Sequence, residues 1–272
     1  MSIATVLDTE TPNGAKAYDH LLRGGRGSVE ALRPTREMVE RIAALYPPGV
    51  PGPRDLAIAN RVYLQRAVSQ AVHAGSAQVL DLGAGYPCPH IELRGAEPLR
   101  PLHEAARAAN PQARTAYVDW DMLVVSHGLA SVQDVPGVTY AHADLADVPS
   151  VRGCPDVKPV IDWCQPVTVI LGLTLHFWPA REARRIVEGY LDGLRPGSRV
   201  VITVPWWDDP VLLERVQAVY APARLYNHSA TQVMALFRGT SLLGNGIEVA
   251  RGPAEVVGRQ VPACVLAGVG LV

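Results

Sequence analysis

Lysine is nearly missing from this chain. Only Lys16 and Lys158 occur in 272 residues, so 23 of the 25 basic side chains are arginine. With abundant Ala, Gly, Pro and Val, that bias points to a GC-rich bacterial genome and says nothing about chemistry. An excess of charge of either sign is also missing. Twenty-five basic residues stand against 26 acidic ones, a net charge of -1, so no broad basic surface for a nucleic-acid backbone is expected. No apolar run reaches the roughly 20 residues that span a bilayer; the nearest approach, Val261 to Val272, is too short. The opening stretch Met1 to Lys16 carries acids and no apolar centre, so no secretory signal is expected. Cys88, Cys154, Cys164 and Cys264 form no C-x-x-C pair and show no zinc-ligand spacing. Reduced thiols, no metal centre and a cytoplasmic location are the expectations.

What is present is a packed globular composition, 48% hydrophobic and 19% charged. The first 16 residues are polar. Residues 17–22 form a short apolar patch before Arg23-Gly24-Gly25-Arg26-Gly27. Residues 35–46 and 54–74 show helical periodicity, the first stopped by Pro47 and Pro48, the second by Gly75. From residue 77 short apolar runs alternate with helical segments. Strands are predicted at 78–82, 114–118, 138–142, 167–173 and 199–204, and helices at 102–109, 122–129 and 181–194. This alternation implies an α/β fold, an open parallel sheet with crossover helices. Two helices, 211–220 and 229–238, and two final strands, 247–250 and 263–271, break the pattern. The last two strands are close enough to pair antiparallel.

Three strand ends carry the chemistry. In Val79-Leu80-Asp81-Leu82-Gly83-Ala84-Gly85 a strand runs straight into a tight turn. Gly83 and Gly85 let backbone approach a ligand where a Cβ would clash, and Asp81 can accept from a ligand amine. A dinucleotide fingerprint needs a third glycine three residues on. Cys88 stands there between two prolines, so NAD binding is disfavoured. The second end is Tyr117-Val118-Asp119-Trp120-Asp121. A carboxylate at Asp119 can take both hydroxyls of a ribose. Trp120 offers a purine a flat face, or else packs in the core. The third is Ala141-His142-Ala143-Asp144-Leu145, where Asp144 and the Leu145 backbone can meet an adenine amino edge. Acids at three successive strand ends mark the side of such a sheet where ligands bind.

These residues resemble class I S-adenosylmethionine-dependent methyltransferases. More narrowly, the chain is similar to the actinobacterial S-adenosyl methyltransferase family known as DUF574. The matching stretches run in order from Ala17-Tyr18-Asp19-His20-Leu21-Leu22-Arg23-Gly24-Gly25 through Ala59-Asn60-Arg61-Val62-Tyr63-Leu64-Gln65-Arg66-Ala67-Val68. Val79 to Gly85, His103-Glu104-Ala105-Ala106, Tyr117 to Asp121 and Leu175-His176-Phe177-Trp178-Pro179 follow. The resemblance implies a Rossmann-like sheet of seven mostly parallel strands with a C-terminal antiparallel strand. It also implies S-adenosylmethionine as cofactor, held by Asp81, Gly83, Gly85, Asp119, Trp120, Asp144 and Leu145. Residues 1–74 then read as a helical cap, 75–272 as the catalytic domain, and 205–246 as inserted helices lining the acceptor site.

In that frame Tyr18 and Asp19 close over the cofactor with the Arg23–Gly27 loop. Arg61 pairs the methionine carboxylate or lies on a solvated helix face. His176, after the fourth strand, is the candidate base or a scaffold residue. Trp206, Trp207 and Tyr220 line an acceptor pocket or pack the core. No Asn-Pro-Pro-Tyr follows the fourth strand, which argues against an amino-group acceptor of the adenine or glutamine kind. The expectation is transfer to an oxygen or carbon of a small molecule in bacterial specialised metabolism. No nucleic-acid or membrane partner is expected, and a homodimer is left open. Rival readings are a non-methylating SAM enzyme such as a cyclase, and a non-catalytic SAM-binding regulator.

Overall fold

Five apolar runs, each with a glycine, an aspartate or a tryptophan at its end or within two residues beyond it, become the parallel part of one sheet. They are β1 (Gln78–Leu82), β2 (Arg114–Asp119), β3 (Val138–His142), β4 (Thr168–Gly172) and β5 (Arg199–Trp207), in the order β3-β2-β1-β4-β5. The computed structural model describes residues 11–24, 33–252 and 263–272. Successive strands step outward from β1 to β3, then resume on its other side at β4. The order therefore reverses between β1 and β4, which leaves a crevice at their carboxyl ends. The fourth run is buried throughout: Thr168, Val169, Ile170 and Leu171 are all fully covered. A continuous apolar sequence implies this when helices cover both faces.

On one face lie α3 (Pro53–His73), α4 (Leu102–Ala109) and α5 (Met122–Val132), whose Leu64, Val68, Leu102 and Val125 pack with Val79, Tyr117 and Ile170. On the other lie α6 (Val148–Gly153), α7 (Ala180–Leu191) and α9 (Ala230–Ala235), with Val151, Val187, Tyr190 and Val233 against Leu80, Val169 and Ile202. Ahead of the sheet come α1 (Gly14–Leu22) and α2 (Arg33–Ala43), which pack with α8 (Pro210–Tyr220) around Trp207. The long α3 sits directly on the sheet. A Cβ at Gly172 would lie 2.9 Å from Leu64 Cδ1. None of the described helices is long and apolar enough to cross a membrane.

Among the described residues the sheet has eight strands where seven are expected. β8 (Ala263–Leu271) runs antiparallel to β5, and β6 (Ser241–Leu242) and β7 (Glu248–Val249) both pair with the outer edge of β8. Leu242 faces Gly270 and Glu248 faces Ala267, so six steps on one side span three on the other. One edge strand is thus broken in two by a turn through Gly244 and Gly246, both at positive φ. A second difference lies at residues 205–207, assigned above to the inserted helices. They continue β5, pairing with Val265, Cys264 and Ala263.

Candidate active site

The three predicted acids come together at the carboxyl ends of β1, β2 and β3. Asp81 is buried near the end of β1, with Gly83 and Gly85 just beyond at φ 69° and 66°. The reason for Gly83 is more specific than ligand approach. A Cβ there would fall 2.4 Å from Thr174 Cγ2 and 3.3 Å from Leu145 Cδ2, so glycine lets the loops after β3 and β4 close onto the turn. Gly85 has only Ala15 near, at 3.9 Å.

Asp119 staples the turn to β2. Its Oδ2 accepts from the Gly85 N–H (2.9 Å) and its Oδ1 from the Asp121 N–H (3.0 Å). Each oxygen keeps a second lone pair for a ligand hydroxyl. Burial pushes the Asp81 carboxyl up to about 6, opposed by Arg61 and reinforced by Asp119. Burial raises Asp119 in the same direction, against the backbone N–H groups that hold it. Trp120 is 70% exposed, which removes the core-packing alternative and leaves its ring face open beside Asp119. Asp144 is exposed, its Oδ1 accepting from Ala146 N at 2.8 Å. Leu145 is buried, and its carbonyl accepts from Tyr190 Oη (2.8 Å).

Arg61 is not on a solvated face. It is 6% exposed, donates from Nη2 to the Arg100 carbonyl (3.2 Å), and has a buried Nε with no partner. Among the described residues no carboxylate lies within ion-pair distance of it. Burial pulls on its charge while Cys88, Tyr18, Tyr117 and Asp81 favour it. Burial holds the first three neutral at pH 7, so Asp81 is the charged group of the four. Arg61 lines a cavity of about 190 Å³ behind the glycine turn, together with Ala84, Tyr86, Cys88, His103 and Tyr117.

The N-terminal segment crosses the mouth of the crevice. Asn13 caps α1 through Lys16 N (2.9 Å) and donates from Nδ2 to Asp121 Oδ2 (3.1 Å). Gly14 is held small by Tyr220 Oη and Phe177 Cζ, 3.1 and 3.3 Å from where its Cβ would lie. Ala15 packs with Tyr86, Leu123 and Val124. Tyr18 turns inward: its hydroxyl accepts from Asn60 Nδ2 (2.8 Å) and donates to the Ala57 carbonyl (3.2 Å). Asp19 holds Arg23 Nε through both oxygens, at 2.8 and 3.0 Å. The rest of the predicted lid loop, residues 25–27, lies outside the described residues.

His176 sits in a 3-10 turn, Leu175–Phe177, beyond β4. Burial, and then His228, pull its imidazole down to about 3. The ring is neutral near pH 7, and among the described residues its buried Nδ1 has no partner. The three aromatic residues assigned to the acceptor do not form one wall. Adjacent strand residues face opposite sides, so Trp206 and Trp207 diverge. Trp207 packs with Ala17, Met38 and Ile42, and its Nε1 donates to Tyr46 Oη (3.3 Å). Tyr220 stands beside Phe177, ring centroids 6.3 Å apart. Burial pushes its phenol up to about 12. Asn13, Asn60, Thr174 and Phe177 also border the site. Asn13, a capping residue before Gly14, carries a local signal, Asn60 and Phe177 stand inside the family-matching stretches, and Thr174 carries none.

The geometry meets an independent result. A family model described as S-adenosyl methyltransferase matches residues 2–259. The chain belongs to that family. It is a SAM-dependent methyltransferase, and the fit of its site agrees: buried acids at the ends of β1 and β2, a glycine turn open at Gly85, and behind it a buried guanidinium with no ion pair among the described residues. Among solved structures, a candidate methyltransferase from Thermobifida fusca YX is 27% identical, with a TM-score of 0.82 over 99% of both chains. A DUF574 family protein from Streptomyces avermitilis MA-4680 is 24% identical, with a TM-score of 0.82 over 97% of this chain and 99% of that one, and shows the same fold. Among curated proteins nothing matches the methyltransferase.

Proposed function

We propose that this methyltransferase acts on an oxygen or carbon of a small-molecule acceptor in bacterial specialised metabolism. The observation that carries the cofactor half is one juxtaposition. Asp81, Asp119 and Arg61, all buried, surround a single glycine turn, and among the described residues Arg61 makes no direct ion pair, Asp81 acting on it only from beyond contact distance. A buried charge without a partner is costly, and an anionic ligand group removes that cost. In this reading Arg61 holds the methionine carboxylate of S-adenosylmethionine, and Asp81 its amine. Asp119 takes the ribose hydroxyls. Trp120 stacks on the adenine, whose amino edge meets Asp144 and the Leu145 backbone. Gly83 and Gly85 shape the turn.

When bound, S-adenosylmethionine supplies an electrophilic methyl carbon on a cationic sulfur. The chain's own part is to orient the acceptor and exclude water. Residues 1–74 serve as the cap, with Asn13, Gly14 and Ala15 roofing the crevice and Tyr18 anchoring them from below. The segment 205–246 contributes Tyr220 to the acceptor side, with Phe177 from the turn after β4. His176, neutral and with a spare Nδ1, serves as a hydrogen-bond partner to the acceptor; its lowered basicity argues against a role as strong base. The stretch Leu173-Thr174-Leu175-His176-Phe177 replaces the Asn-Pro-Pro-Tyr that an adenine or glutamine acceptor would favour, which supports oxygen or carbon. The test is product analysis with phenol, enol and amine panels. S-adenosylhomocysteine released in step with a product heavier by one methylene, from phenols or enols only, is expected. Turnover confined to amines, or product without S-adenosylhomocysteine, contradicts the reading.

A further inference from the structure

Four polar groups from four elements form one buried chain. Tyr18 on α1 bonds Asn60 on α3 through Nδ2 (2.8 Å). The other end of the same amide, Oδ1, accepts from Thr203 Oγ1 on β5 (2.7 Å). Thr203 Oγ1 in turn accepts from the Leu173 N–H beyond β4 (3.0 Å), which also reaches the Thr203 carbonyl (3.0 Å). Asn60 is 1% exposed and Thr203 fully buried. Each side-chain hydroxyl or amide in the series gives and receives once, and the Leu173 N–H gives to two acceptors, so the direction of every bond is fixed by its neighbour.

The far end of the chain is the strained one. Leu173, at φ 51°, is the one non-glycine residue with positive φ among the described residues. A leucine keeps that conformation only where its surroundings impose it. The residue after it, Thr174, wedges its Cγ2 where a Gly83 side chain would be, and His176 follows two residues later. The near end, Tyr18, belongs to the helix whose first turn roofs the crevice.

We propose that Asn60 is a positioning residue: through Thr203 it holds the strained turn after β4, and through Tyr18 it holds α1. One amide thereby sets two walls of the cofactor site. Its service to catalysis rests on the methyl-transfer reading; the mechanical coupling does not.

The test uses the full chain with Thr203→Val, which keeps the β-branched shape and removes the hydroxyl, and Thr203→Ser, which restores it. Amide hydrogen exchange is followed in residues 14–22, 173–178 and 78–82, with SAM affinity measured alongside. Thr203→Val is expected to speed exchange at least ~5-fold at both 14–22 and 173–178 while 78–82 holds, and to weaken SAM binding by a similar factor. Thr203→Ser returns both to the wild-type values. Tyr18→Phe, altered only at the near end, is expected to speed exchange at 173–178. A response confined to the mutated element, or equal acceleration in all three segments, overturns the proposal. A wild-type chain that binds no SAM sinks the methyl-transfer reading, and the exchange data still decide the coupling.

Discussion

Asp119→Ala is expected to weaken S-adenosylmethionine binding roughly 100-fold, about 2.7 kcal/mol at 25 °C. Two effects combine. The first is loss of the acceptor proposed for the ribose hydroxyls, a charge-assisted pair worth about 1.5–3 kcal/mol. The second is internal: the carboxylate holds Gly85 N and Asp121 N at 2.9 and 3.0 Å. Without it Gly85 loses its tie to β2, and the turn is left on the Gly83 and Ala84 N–H bonds to the Val118 carbonyl (2.8 and 3.1 Å). Asp121 is tied in turn to Asn13, so the roof of the crevice loosens as well. Asp119→Asn keeps one oxygen and the shape, and should fall between wild type and alanine. Calorimetric titration measures both, and a twofold effect or less for the alanine variant would show that Asp119 is only a turn residue.

Arg61→Met is expected to separate function from stability. Binding of SAM should fall roughly 30- to 100-fold, about 2–2.7 kcal/mol, if the guanidinium meets the ligand carboxylate as proposed. The melting temperature of the ligand-free chain should hold or rise. Methionine fills similar volume without a desolvated charge, and buried charges replaced this way often gain stability. The structure gives that expectation its force. Among the described residues Nε has no partner and no ion pair forms; Nη2 has one carbonyl, and Cys88 is a further side-chain hydrogen-bond partner of the group. Removing Arg61 also removes the influence that opposes burial at Asp81, so that carboxyl should titrate still higher. A large drop in melting temperature with unchanged SAM affinity would assign Arg61 to the fold alone.

Much of the architecture is legible in the sequence because its signals are local. β1 and β3 begin and end at the predicted residues, and β2 and β4 differ by one at an end or at each end, since short apolar runs there stop at turn residues. β5 extends three residues beyond its predicted end, through Pro205. Proline reads as a stop, yet β4 ends at Gly172, opposite Thr203. Beyond that point β5 is an edge on the β4 side, where a missing N–H costs nothing. The six-residue α6 is too short for periodicity to show; Asp147 and Pro149 start it, the Asp147 side chain accepting from Ser150 N. The broken edge strand depends on pairing with β8, a non-local fact.

The site divides the same way. Asp81, Asp119 and Asp144 are legible because each stands at a strand end. Arg61 is legible only as one of two alternatives, and Asn60 not as a site residue, because a polar residue on a helix reads as solvated until the neighbouring layers are known. Trp206 and Trp207 mislead for a related reason: an aromatic pair suggests a pocket, but once both lie in a strand they face opposite sides. Trp120 shows the converse, since an aromatic beside a strand end reads equally well as core until its exposure is seen.

The most direct measurement is calorimetric binding of S-adenosylmethionine to the wild-type chain, with NAD as control, at pH 5 and at pH 7.5. Asp81 titrates near 6 because burial raises it. It is therefore mostly neutral at the lower pH and mostly ionised at the higher, where it can pair a cationic amine. The account expects micromolar binding at pH 7.5, weaker by roughly 10-fold at pH 5, about 1.4 kcal/mol, and none for NAD at either. A folded chain that binds no S-adenosylmethionine at pH 7.5, or binds NAD as tightly, contradicts the assignment of this crevice as the cofactor site.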